Sequence, residues 1–197
     1  VTSRRYRADQ INEEMLNTIE GPATAAMAEE LGDLNENELP APRNLRIKEG
    51  AKVMFMKNDS EGRWVNGTVG KVVDCKDKKR KTIKVEVAGK TLNVKREEWN
   101  KIRYVYDDYD DEMEEEIVSS FKQFPLKLGW AVTIHKAQGL TLESCSIDLG
   151  QGAFATGQTY VALSRCKTLG SVNLYQELRK TDAMVDSAIV DFHKKSF

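Results

Sequence analysis

Apolar residues recur at helical spacing near the start of the chain. Within residues 7–19 they fall at every third or fourth position, and they are Ala8, Ile11, Met15 and Ile19. This spacing predicts an amphipathic helix, which a Gly-Pro pair at positions 21–22 ends. Residues 24–31 predict a second helix, and the polar, proline-containing stretch that follows predicts a linker.

From Ile47 onwards the pattern changes to short runs rich in Val, Ile, Thr and aromatic residues. Turn residues such as Asn66-Gly67 and Ala88-Gly89 separate these runs at a spacing of about ten residues. Several short strands at this spacing are typical of a small β-barrel. We therefore predict a barrel over roughly residues 48–103.

After the Phe-Pro pair at 124–125 the pattern changes again. Residues 126–138 mix large apolar and small side chains and predict a buried helix. Residues 144–149, 157–165 and 171–175 predict a strand, a short helix and a second strand. Strand, helix and strand in this order indicate a parallel α/β unit, so we predict an α/β body interrupted by an all-β insertion.

Composition narrows the class of protein. The 197 residues are 40% hydrophobic, 8% aromatic and 31% charged, which excludes a membrane protein and a disordered one. The net charge of −1 excludes a uniformly basic nucleic-acid binder but allows local basic patches. Cys75, Cys145 and Cys166 form no C-x-x-C pair, so we expect neither a disulfide scaffold nor a zinc site.

Two charged segments each allow two interpretations. Residues 107–116 hold eight acidic groups and form either a solvated loop or helix face or an electrostatic mimic beside a basic channel. Residues 76–84 are strongly basic and form either a solvated hairpin tip or a loop that contacts phosphates. Trp64 and Trp99 could likewise pack in a core or stack on bases.

One apparent phosphate-binding motif is a false match. Gly89-Lys90-Thr91 ends like a phosphate loop, but the full motif needs a glycine where Lys84 stands. Without that glycine the backbone cannot wrap phosphates, so we predict a hairpin turn here.

Two segments carry candidate chemistry, namely WAVTIHKAQGLTL at 130–142 and GQTYVALSRC at 157–166. The first places small polar groups, an imidazole and an ammonium around the end of a helix, before the tight turn that Gly139 permits. Such groups suit phosphate contacts. Taken singly, His135 and Arg165 could instead be a structural histidine and a surface charge.

Together these segments resemble motifs V and VI of superfamily 1 helicases, in particular the 5′-to-3′ DNA helicases of the PIF and RecD class. The intervening SCSIDLG gives a matching spacing. VMFMKND and WVNGTVGKV are similar to the opening of the SH3-like barrel, called 2B, that this class inserts into its second RecA-like domain. The start of the chain, VTSRRYRADQIN, resembles the region of motif IV.

The resemblance implies an α/β fold with a RecA-like, P-loop NTPase-type parallel sheet that lacks its own phosphate loop. This domain, 2A, would comprise residues 1–47 and 124–197, and barrel 2B with the acidic segment would comprise residues 48–123. The family's first RecA-like domain is not found in the sequence, which begins with Val rather than Met. The resemblance thus implies the C-terminal motor half of an intracellular ATP-dependent helicase of DNA repair or recombination, cytoplasmic if bacterial and inactive by itself.

The resemblance also implies roles for individual residues. Arg165 would be the catalytic arginine finger that reaches the γ-phosphate of ATP, because a guanidinium is always charged and presents a rigid fork of donors. Further nucleotide contacts would come from Arg4, Gly139, Thr141 and Gln158. Single-stranded DNA would be contacted by Thr133, His135, Lys136, Lys78, Lys79 and Arg80.

The implied cofactors are ATP and Mg²⁺, with Mg²⁺ held outside this chain, and no metal ligands are expected within it. The implied partners are single-stranded DNA and the N-terminal RecA-like domain of the same parent chain, with no membrane. A non-enzymatic SH3-like module that binds nucleic acid or protein on an α/β scaffold is the alternative. That alternative gives no reason for TIHKAQG and YVALSR to occur together.

Overall fold

The computed structural model describes residues 1–76, 81–107 and 112–196, which form a mixed α/β structure with several sheets. Its α-helices are α1 (Arg5–Thr18), α2 (Ile134–Ala137), α3 (Gln158–Leu163) and α4 (Ser187–Ser196). Short 3₁₀ helices span Glu36–Glu38, Leu169–Ser171 and Lys180–Asp182. The strands are β1 (Thr24–Met27), β2 (Glu29–Leu31), β3 (Asn44–Ile47), β4 (Lys52–Phe55), β5 (Val69–Asp74), β6 (Thr82–Val87), β7 (Lys90–Lys95), β8 (Glu97–Asp107), β9 (Glu112–Gln123), β10 (Leu126–Leu128), β11 (Cys145–Ile147) and β12 (Val172–Leu174).

The chain divides into two compact units. The first combines Val1–Met15 with the chain from Trp130 onwards, and the second is Leu16–Gly129. The second unit is therefore an insertion into the first. The boundaries predicted from the sequence, at residues 48 and 123, lie within this insertion.

A parallel arrangement of strands organises the first unit. β11 pairs with β12 in parallel, and α3 lies between them in sequence, as the pattern of residues 144–175 predicts. Thr2 bridges Thr133 on one side and Asp148 on the other, both in parallel. The segment containing Thr2 therefore lies between two segments that are more than 100 residues away in sequence.

The core of the first unit is small and apolar. Ile134, Ile147, Leu149 and Ala162 are all buried in it, so α2, β11 and α3 share one core. Helix α1 is fixed to the same unit by Asn12, whose side-chain amide exchanges two 2.9 Å hydrogen bonds with the backbone of Ala131. The helix predicted over residues 7–19 is thus confirmed, with a start at Arg5.

Two predicted helices are wrong. Residues 24–31 form β1 and β2, which pair with β3 and β9 respectively, so strand pairing overrides the helical propensity of their Ala, Glu and Leu residues. Residues 126–138 form β10 and, after a break, only the four-residue α2. Gly129 lies in this break, where a Cβ atom would approach the Val53 backbone to 2.9 Å.

An antiparallel five-stranded sheet organises the second unit, in the order β10-β4-β5-β6-β7. Its core contains Phe55 and Trp64, whose rings stack with centroids 4.5 Å apart. Trp64 is only 6% exposed, so it packs in the core rather than stacking on bases. In the described part of the chain the two end strands, β7 and β10, do not pair with each other. The predicted barrel is therefore not closed.

The described residues of the acidic segment lie in β8 and β9, two long strands that pair antiparallel. Of residues 107–116, the described ones lie in these two strands, so the predicted loop or helix is wrong for them, and residues 108–111 lie outside the described part. Glu116 lies opposite Arg103 and forms an ion pair of 2.6 Å with it. None of the described helices is long and apolar enough to cross a membrane.

Candidate functional site

Arg165 joins the two segments that carry the candidate chemistry. It follows α3, and its Nε donates to the Val161 carbonyl at 2.7 Å. Its Nη1 donates to the Leu140 carbonyl at 3.2 Å and, at 3.5 Å, to that of Ala137. Its Nη2 donates to the Ser164 hydroxyl at 2.8 Å. The half-buried guanidinium thus rests on backbone carbonyls at the C-terminal end of α2.

The backbone reinforces this connection. The Leu142 N–H donates to the Arg165 carbonyl at 2.8 Å, and Leu142 and Cys166 form a parallel bridge. Segment 140–142 is therefore held to residues 165–166 by both main chain and side chain. Thr141, between Leu140 and Leu142, is exposed.

The helix α2 is short but well anchored. Thr133 caps its N-terminus, and its hydroxyl accepts a hydrogen bond from the Lys136 N–H at 3.3 Å. Because Ile134 is buried, the adjacent His135 and Lys136 are turned to solvent. Gly139 follows with φ = 81°, a left-handed conformation that suits glycine and lets the chain turn away from the helix.

Phe154 is a residue that the sequence analysis missed. The Arg4 guanidinium carbon lies 4.1 Å from the centre of its ring, and the His135 ring centre lies 6.5 Å away. The ring is 44% exposed. A predicted nucleotide contact and a predicted DNA contact therefore meet on one aromatic side chain. An aromatic residue in the glycine-rich loop 150–157 was the available sequence signal.

Gln158 holds Phe154 in place. It is 4% exposed, and its Oε1 accepts a hydrogen bond from the Phe154 N–H at 3.0 Å. Its Nε2 is buried and has no partner among the described residues. Gln158 therefore acts on the adjacent loop, and its unpaired amide is an unusual feature of a buried polar group.

Asp182 fixes the same loop from the other side. Its carboxylate accepts hydrogen bonds from the Ala153 N–H at 3.1 Å and from the backbone and guanidinium of Arg179. Its carbonyl accepts a bond from the Thr159 hydroxyl. The Arg179 side chain, with help from the backbone donors, lowers the pKa of Asp182 from 3.8 to about 2. The Phe154 loop is thus held by charge-assisted bonds.

The predicted basic loop is only partly described. Lys78, Lys79 and Arg80 lie outside the described residues. On its two flanks, Lys76 pairs with Glu49 at 2.7 Å and Lys84 pairs with Asp74 at 3.3 Å. No cluster of potential metal ligands occurs among the residues that the structure describes.

Comparisons with known proteins cover nearly the whole chain. No protein-family model matches it. It is 30% identical to the ATP-dependent DNA helicase Pif1 of Bdellovibrio bacteriovorus, over 98% of this chain and 42% of that protein. It is 34% identical to the mouse ATP-dependent DNA helicase PIF1, over 83% of this chain and 24% of that protein. The chain thus spans less than half the length of these relatives.

Solved structures give the same result. An unliganded Pif1 from Bacteroides sp. is similar with a TM-score of 0.82 and 32% identity, over 98% of this chain and 44% of that one. A Bacteroides Pif1 bound to single-stranded DNA has a TM-score of 0.81 at 32% identity, over 99% of this chain and 44% of that one. A complex of Pif1 from Bacteroides sp. with ADP-AlF4 has a TM-score of 0.80 at 32% identity, over 98% of this chain and 44% of that one.

Proposed function

The chain is a homologue of the C-terminal part of Pif1 DNA helicases, and from this relationship we propose that it is the C-terminal motor half of an ATP-dependent 5′-to-3′ DNA helicase. In this role it supplies an arginine finger, Arg165, and contacts to single-stranded DNA. The alternative of a separate binding module is not favoured, because the similarity extends over 98% of the chain, including both candidate segments.

The position of the Arg165 guanidinium carries the proposal. Four of its five N–H groups are directed at neutral oxygens, three of them backbone carbonyls. A phosphate oxygen is a stronger acceptor than a carbonyl because it is charged. The γ-phosphate of ATP, held on a first RecA-like domain, would therefore draw the guanidinium away from the Ala137 and Leu140 carbonyls.

This exchange links the two ligands of the motor. The carbonyls that Arg165 would release lie at the end of helix α2 and just after it, and this one-turn helix carries the proposed DNA contacts His135 and Lys136 behind its cap, Thr133. The exposed side chains of His135 and Lys136 suit a contact with the phosphates of single-stranded DNA. A change at the nucleotide would thus move the DNA contact through one short helix.

The other proposed nucleotide contacts have different roles. Arg4 would reach the nucleotide from the face of Phe154, while Gln158 would keep the Phe154 loop in place. Gly139 and Thr141 would lie beside the Arg165 contacts. The sequence contains no complete phosphate loop, so the phosphates and Mg²⁺ of ATP would be held by the first domain.

We assign each unit to a part of the motor. The parallel strands around Thr2 and β11 support a RecA-like domain 2A, and the five-stranded antiparallel sheet supports an SH3-like insertion 2B. Our proposed segments are residues 1–47 and 124–197 for 2A and residues 48–123 for 2B, so the proposed 2B is smaller than the second unit, Leu16–Gly129. Lys78, Lys79 and Arg80 would guide the strand from the insertion.

Arg165→Ala in the longer helicase tests the proposal. DNA-stimulated ATP turnover should fall by about 10³ or more, while the affinity for single-stranded DNA without nucleotide stays unchanged. Arg165→Lys should restore little turnover, because an ammonium lacks the planar fork.

Arg103→Ala is the matched control, because Arg103 lies exposed on β8, far from these contacts in sequence. It should leave turnover unchanged. Near-normal turnover in a folded Arg165→Ala protein, with an unchanged melting temperature, would contradict the assignment of Arg165.

A further inference from the structure

Cys145 and Cys166 form a pair of thiols that the proposed motor does not use. The Cys166 thiol donates to the Cys145 sulfur, and the two Sγ atoms lie 3.5 Å apart. Both thiols are free and half-buried. The third cysteine, Cys75, is buried in the other unit.

The pair connects two elements of the candidate site. Cys145 is the first residue of β11, and Cys166 directly follows Arg165. Besides Cys145, the Cys166 thiol faces the Ser171 carbonyl at 3.7 Å, a long and weak contact. A covalent link between the sulfurs would therefore compete with little else.

We propose that Cys145 and Cys166 are a peroxide-sensitive dithiol, a modification site whose oxidation ties strand β11 to the segment that carries Arg165. The sulfurs need to approach from 3.5 Å to about 2.0 Å to form the bond.

Hydrogen peroxide balances the reaction. The Cys166 thiolate attacks one peroxide oxygen, an S–O bond forms, the O–O bond breaks, and water leaves with the thiol proton. The Cys145 sulfur then attacks the Cys166 sulfenic acid, the S–S bond forms, and a second water leaves. Two thiols are oxidised and one peroxide is reduced.

The order of the two steps follows from the environment of Cys145. Burial, the largest cause, raises the pKa of the Cys145 thiol from 9.0 to about 11. Because only a thiolate is a good nucleophile, Cys145 is the poorer first attacker and acts as the resolving thiol.

The test uses the 197-residue chain itself and needs no ATP turnover, so its failure is distinct from a failure of the proposed function. After mild peroxide treatment, two of the three thiols should become inaccessible to maleimide under denaturing conditions and return with dithiothreitol. Peptide mapping should find Cys145 linked to Cys166. Retention of three thiols, or a link that includes Cys75, would overturn the proposal.

Three serine variants supply the controls. Cys75→Ser should still lose two thiols, whereas Cys145→Ser and Cys166→Ser should form no internal link. Hydrogen exchange of the Leu142 N–H, which bonds to the Arg165 carbonyl, should slow down in the oxidised wild type. A link that forms without slowing this exchange would overturn the claim that it fixes the Arg165 segment.

Discussion

Phe154 is the residue at which the contacts predicted for two different ligands come together. Its ring carries the Arg4 guanidinium on its face and lies beside His135, while Gln158 and Asp182 hold its loop. An exposed aromatic ring that is fixed from behind can hold a cation in position at little entropic cost. We therefore expect Phe154 to position its neighbours rather than to react.

In the longer helicase, Phe154→Leu should weaken the binding of nucleotide by about twofold to fivefold, because Arg4, a proposed nucleotide contact, loses its ring partner. This corresponds to removing a cation–π interaction at an exposed site, about 0.5–1 kcal/mol. Phe154→Tyr keeps the ring and should bind normally. Fluorescence anisotropy with a labelled ATP analogue measures both, and Phe192→Leu, at another exposed phenylalanine, is the control. Equal affinities for Phe154→Leu and wild type would refute this role.

Two glycines in the same loop offer a matched comparison. At Gly152, with φ = 124°, a Cβ atom would overlap Nη2 of Arg179 and lie 2.6 Å from the Asp182 carboxylate. At Gly150, with φ = 58°, no described atom lies within 4 Å of such a Cβ. Gly152→Ala should therefore lower the free energy of unfolding by more than Gly150→Ala, whose cost is about 1 kcal/mol. Urea unfolding measures both, and equal losses would contradict the close packing at Gly152.

At the scale of elements, Asp182 ties the 3₁₀ helix Lys180–Asp182 to the Phe154 loop. Its pKa of about 2 in the folded chain is below the ordinary 3.8, so the folded state favours the charged form. Its contribution to stability is present above about pH 4 and is lost as the pH falls towards about 2.

Asp182→Asn should therefore make the free energy of unfolding depend less on pH between about pH 4 and about 2, because the amide that replaces the carboxyl group does not titrate. The urea midpoint at several pH values measures this. Asp59→Asn is a parallel case and should change the same pH window, because Arg63 lowers the pKa of Asp59 to about 2 in the other unit. If the urea midpoint of Asp182→Asn falls with decreasing pH as steeply as that of the wild type, the bonds of Asp182 do not cause the acid dependence.

Local patterns predicted some elements well. The order β11, α3, β12 could be predicted from the sequence because each element is short and its apolar residues face one small core. The predictions were wrong where pairing with residues distant in sequence determines the secondary structure. Residues 24–31 have helical propensity, yet their partners are β3 and β9. Likewise, Arg165 could be identified from its motif, but its carbonyl partners and the Phe154 contact depend on tertiary packing.

At the scale of the whole molecule, the net charge bears on the proposed contact between the basic segment 76–84 and DNA. The net charge is −1, so long-range attraction to DNA has to come from local patches. Replacing Lys78, Lys79 and Arg80 together with Gln should flatten the slope of log affinity against log salt by roughly 0.7 for each phosphate that the loop neutralises. Replacing Lys194 and Lys195 is the control. An unchanged slope would return the loop to a solvated hairpin tip.

The position of Thr2 has a consequence for the synthesis of the protein. Its backbone bonds to Val132 and Ile134, and its neighbours bond to Asp148, so its partners leave the ribosome about 130 residues later. At typical translation rates this delay is on the order of 10 s, long enough for the inserted unit to fold in between. Thr2 then forms its parallel bridges to Thr133 and Asp148. Chaperone binding to the nascent chain should therefore concentrate on the segment around Thr2, which stays without its partners during this delay.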